Sequence, residues 1–199
     1  MRKNGFSLVE VVIVVAIAIS LVIIVSNLSG NISSLNGLIS QQLQSKSDTT
    51  QTLQIITTEI RSASPSQAGA YPIDMATTSS FAFYSDINKD GSVEHIRYFL
   101  SSSTIYKGVI SATGTPATYP TSTEVVTDII DNVIIPTSTP LFRYYDESAM
   151  TTQNPLSSPV TVSNIRLVEM SFLSDINPQQ TPKPESFSTL IDIRNLRSN

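Results

Sequence analysis

Cysteine is absent from the 199 residues, so the chain has neither a disulfide framework nor a thiolate metal site, and cysteine usage indicates no redox compartment. His95 is the only histidine, which excludes a histidine cluster around a catalytic metal. No Gly-x-Ser-x-Gly sequence and no phosphate-binding glycine loop occurs, so serine hydrolase and nucleotide chemistry are not indicated. Basic charge is also in short supply: 12 Lys and Arg face 16 Asp and Glu, the opposite of what a nucleic-acid binder carries. Beyond the first 25 residues there is no second long apolar run; Ser, Thr, Asn, Gln and Pro take over. The length leaves room for one modest domain beside an anchor.

What is present is concentrated at the N-terminus. Residues 11–25 read VVIVVAIAISLVIIV, and with Phe6, Leu8 and Val9 they predict a helix of about 20 residues, roughly 30 Å, enough to cross a hydrocarbon layer. Val and Ile are mediocre helix formers in water, but a bilayer offers backbone groups no other partner and so enforces the helix. Arg2 and Lys3 precede it and hold that end in the cytoplasm, which sends the polar remainder outward. The run leads into Ser26-Asn27-Leu28-Ser29-Gly30 without an Ala-x-Ala-like site, so cleavage behind the helix is not expected. Glu10 stands at the edge of this span, where an unpaired charge near mid-bilayer costs roughly 2.5 to 3.5 kcal/mol. It requires a partner.

Arg2-Lys3-Asn4-Gly5 followed by Phe6-Ser7-Leu8-Val9-Glu10 resembles the leader and mature start of type IV pilins and of the pseudopilins of type II secretion. The resemblance implies that a prepilin peptidase cuts after Gly5 and methylates the new amine of Phe6, leaving Glu10 as the assembly carboxylate fifth in the mature chain. Loss of Arg2 and Lys3 would leave 10 basic and 16 acidic side chains, a charge of −6. The resemblance also supplies the partner: the Phe6 amine of one subunit can neutralise the Glu10 carboxylate of a neighbour, given good geometry in low dielectric. The alternative without a family is an uncleaved signal anchor carrying one stray Glu.

Leu28, Ile32, Leu35 and Ile39, then Leu53, Ile56 and Ile60, predict a helix continuing to about Ala63, with bending or fraying near Gly30, Gly37 and the polar interval 41–52. Ser64-Pro65 ends it. The 53–60 stripe is expected to face a core and the 28–39 stripe to pack in a filament. Short β-branched and aromatic segments at 81–85, 93–100, 104–109, 141–145, 165–173 and 187–195 read as strands, while 111–123 and 147–159 read as loops. The expected organisation is a leader at 1–5, a transmembrane and filament-core helix at 6–25, its continuation at 26–63 and a β-rich extracytoplasmic domain at 64–199. The fold class is α+β: a long N-terminal helix whose C-terminal half packs on an antiparallel sheet, the pilin-like layout.

Within the family the exported part resembles the J-type minor pseudopilin and the W-type minor pilin. The matching pieces are Ile60-Arg61-Ser62-Ala63, the turn from Asp86 to Glu94, Ile96-Arg97-Tyr98-Phe99-Leu100, Phe142-Arg143-Tyr144-Tyr145-Asp146, Ile165-Arg166-Leu167-Val168 and Ile193-Arg194-Asn195. The Thr/Pro-rich 111–123 stretch and the longer 147–159 stretch depart from that pattern.

Asp86, Asn88 and Asp90, with Gly91 after the third, open like a calcium loop. Its twelfth position is Arg97 instead of Glu, however, and the flanks read as strands. A hairpin whose Asp-Gly turn admits a positive φ is the expected structure, without a tight calcium site. His95 beside Glu94 is expected on a surface strand, Asp128/Asp131 and Asp146/Glu147 as solvated charges, and the tyrosines at 84, 98, 106, 144 and 145 as sheet packing instead of a single-strand DNA platform. No catalytic residue and no cofactor is expected. The implied role is a nonenzymatic minor pseudopilin or minor pilin that starts or caps a filament in the cytoplasmic membrane. Its partners would be prepilin peptidase, membrane lipids, other pilin-like subunits and the filament assembly machinery, with no nucleic acid. A major pilin of a surface filament, or an anchored binding module displayed behind a pilin leader, is the alternative.

Overall fold

The computed structural model describes residues 7–148, 154–175 and 183–196, so the leader at 1–5, Gly5 and Phe6 lie outside the described residues, as does part of the 147–159 loop. The chain divides into two compact units, one ending at Asp48 and the other beginning at Thr49. Helix α1, Leu8–Arg61, runs through both, and its assignment continues across Gly30 and Gly37. In the first unit its stretch Leu8–Ser29 has 22 residues, about 33 Å at helical rise, and is long and apolar enough to span a membrane. Among the described residues, nothing buries that stretch.

In the second unit the helix supplies Leu53, Ile56 and Ile60 to the core, spaced three and four apart on one face. Burying each such side chain contributes about 1.5 to 3 kcal/mol. Regular helix stops at Arg61, two residues before the expected end. The Ala63 N–H then donates to the Ile60 carbonyl at 3.1 Å, tightening the last turn, and Asn195 Nδ2 donates to the Ala63 carbonyl at 2.7 Å. Ser64 N–H donates to the Tyr84 carbonyl, which ties the helix exit to the sheet.

Nine strands follow among the described residues: β1 Ile73–Ala76, β2 Ser80–Ser85, β3 Glu94–Ser101, β4 Thr104–Ile110, β5 Val125–Ile130, β6 Val133–Ile134, β7 Phe142–Tyr145, β8 Leu167–Ser174 and β9 Glu185–Asp192. They form two antiparallel sheets where one was expected. The first is ordered β1-β2-β3-β4-β5. In the second, β8 pairs with β9 and also with β6 and β7.

Alternation decides which face is buried. Ile96 and Tyr98 of β3 point inward with Phe81 and Phe83 of β2, and Val168, Met170 and Phe172 of β8 do the same with Phe187 and Ile191 of β9. The two sheets share one core where the Phe81 ring meets Phe142 at 6.0 Å and Tyr144 at 5.7 Å. Three strands escaped the sequence reading. Ile73–Ala76 and Val133–Ile134 are too short to show alternation, whereas Val125–Ile130 carries a β-branched run that was legible.

Candidate functional site

Glu10 sits in the first turn of α1 and is exposed. Its N–H donates to Ser7 Oγ at 3.3 Å, and the Val11 N–H donates to the Ser7 carbonyl at 3.2 Å. Ser7 therefore caps the helix, and Ser7-Leu8-Val9-Glu10 has the Ser-x-x-Glu spacing of a capping box. That spacing was visible in the sequence and passed over. Placed three residues past the cap, the carboxylate lies where the helix dipole favours negative charge. From the end of the span onward, Leu28, Ile32, Leu35, Ile39 and Leu43 are all exposed, between 49 and 63 %, so among the described residues this stripe has no cover.

Asp86, Asn88 and Asp90 are brought together in the turn joining β2 to β3. Lys89 at φ 60° and Gly91 at φ 85° take the left-handed backbone that reverses the chain, a conformation cheap for glycine. The polar side chains serve the turn itself. Asp86 Oδ2 accepts the Gly91 N–H at 3.0 Å, Asn88 Oδ1 accepts the Asp90 N–H at 3.1 Å, and Asp90 Oδ1 accepts the Ser92 N–H at 2.7 Å. Asp90 Oδ2 accepts from Asn88 Nδ2 at 2.8 Å. Asp86 Oδ1 is buried without a hydrogen-bond partner among the described residues.

Glu94, at the start of β3, is only 4 % exposed, and its Oε2 accepts the Ile87 N–H at 3.2 Å. Burial raises its pKa; the Ile87 N–H opposes the rise, while the Asp90 and Asp86 carboxylates add to it. Arg97, at the twelfth position of a calcium loop, is committed elsewhere. Its guanidinium forks onto Glu124 at 3.0 and 2.8 Å and lies 4.0 Å from the Phe99 ring centroid. Glu124 reaches it by passing over Gly108, where a Cβ would clash with the Glu124 carboxylate. Among the described residues, no three His, Cys, Asp or Glu side chains form a group suited to a metal ion.

His95 lies on β3 with Nε2 3.0 Å from Asp74 Oδ2, its ring against Tyr84 at 5.0 Å and Tyr119 at 6.3 Å. Tyr119 comes from the Thr/Pro-rich insertion and donates its hydroxyl to the Val93 carbonyl at 2.8 Å, holding the insertion against the sheet. Among the described residues, neither nitrogen of His95 meets a serine hydroxyl. Tyr98 and Tyr144 are core residues, with Tyr84 and Tyr145 nearly as buried, so four of the five tyrosines in question offer no open ring face for stacking. Burial, reinforced for Tyr98 by Glu59, pushes the Tyr98 and Tyr144 hydroxyls above the ordinary phenol range.

A further cluster was not anticipated. Glu59 of α1 accepts from Lys107 Nζ at 2.6 Å and from the Tyr98 hydroxyl at 2.5 Å, clamping the end of the helix to β3 and β4. Glu59 and Lys107 lie 48 residues apart, and no local pattern pairs them. Each Glu59 oxygen accepts one of these bonds, so the cluster ties α1 to the sheet.

No protein-family model matches this chain, and no curated protein sequence matches it.

Proposed function

We propose that this chain is a structural, pilin-like subunit, a minor pseudopilin or minor pilin, that inserts through the start of α1 and joins its neighbours through the same helix. The observation that carries this reading is the pairing of one exposed apolar span, Leu8–Ser29, with one acidic residue in its first turn, Glu10, directly behind Gly5-Phe6. A plain anchor needs the span, and the about 0.3 to 1 kcal/mol that a helix N-terminus returns to a carboxylate falls short of its cost in a bilayer. A subunit that pairs this carboxylate with the freed amine of Phe6 on a neighbour recovers that cost.

The remaining features fit the same role. The exposed stripe from Leu28 to Leu43 offers continued helix packing beyond the span, at the spacing two facing helices use. The β-rich domain from Thr49 onward has its own core, as an exported head on such a helix requires. Asp86, Asn88 and Asp90 accept N–H groups of their own turn, and His95 pairs with Asp74.

Processing tests the reading directly. Intact-mass and N-terminal analysis of protein purified from membranes of a host with active prepilin peptidase is expected to show a chain beginning at methylated Phe6. Finding only chains that begin at Met1 would reject it. Copy number in the assembled filament then separates a minor subunit, present once or a few times, from a major one.

A further inference from the structure

We draw no further inference here: the strongest candidate, the acidic loop at 86–94 between β2 and β3 with its buried, unpartnered Asp86 oxygen, is a cluster whose oxygens mostly accept the loop's own N–H groups on a partly buried aspartate, and no second observation points to a bound cation.

Discussion

At the scale of single residues, Glu59 shows how a charge can be kept in an apolar interface. Its side chain is 12 % exposed and that of Lys107 18 %, and both carboxylate oxygens are used, one by Lys107 and one by Tyr98. A buried pair of this kind adds little net stability, but removing one partner strands the other in low dielectric. Glu59→Ala is therefore expected to lower unfolding stability by about 3 kcal/mol, toward the lower end for broken buried pairs because Lys107 retains some solvent contact. Replacing all three members of the cluster, Glu59→Leu with Lys107→Met and Tyr98→Phe so that no buried hydroxyl is left unpaired, is expected to recover most of that loss. Urea unfolding of the single and the combined variant measures both effects; equal losses in the two would show that the cluster is not coupled as argued.

At the scale of elements, the β2–β3 hairpin is shaped by the demand for acceptors in a tight turn. Asp86, Asn88 and Asp90 look like metal ligands in one dimension because oxygen at alternate positions also suits backbone N–H groups in a reversing chain. Calorimetry with calcium is accordingly expected to reveal no submicromolar binding; a submicromolar affinity lost in Asp86→Ala would overturn this account of the loop.

Glu94 adds a pH dependence to the same hairpin. Its folded-state pKa is raised, so the folded state binds a proton more tightly than the unfolded state does. Its contribution is thus complete below the unfolded carboxylate pKa and is lost as pH rises through the raised folded value. Glu94→Gln keeps an acceptor for the Ile87 N–H without the charge, so it is expected to stabilise at pH 7 and to lose that advantage near pH 4. Chemical denaturation at both pH values checks the sign; destabilisation at pH 7 would show that the ionised carboxylate is needed.

At the scale of the whole molecule, the proposed assembly rests on Glu10. Glu10→Ala makes the span more apolar and leaves Gly5 and the leader unchanged, so insertion and cleavage are expected to persist. The buried core draws its helical residues from Leu53 onward, so the head is expected to fold normally. Crosslinks in the membrane to neighbouring pilin-like subunits are expected to fall sharply, since the amine of Phe6 loses its counter-charge. Unchanged crosslinking and filament formation in Glu10→Ala would reject the assembly role, and failed insertion would assign Glu10 to export.

By itself the sequence determined the features that depend on composition and local spacing. The apolar span follows from an uninterrupted run, the core-facing helix stripe from Leu53, Ile56 and Ile60, and six of the nine strands from alternation and β-branched residues. The positive φ at Gly91 was legible for the same reason, because an Asp-Gly turn states its backbone requirement within a few residues. Tertiary structure decided what depends on residues distant along the chain. It split the strands into two sheets, since sheet membership rests on pairings such as Val133 with Ser174 that carry no local signature. It drew Glu59 to Lys107 across 48 positions and gave Arg97 to Glu124 across 27. It also committed one oxygen each of Asp86 and Asn88 and both of Asp90 to the turn. One-dimensional spacing allows several partners for a polar side chain, and only packing in three dimensions selects among them.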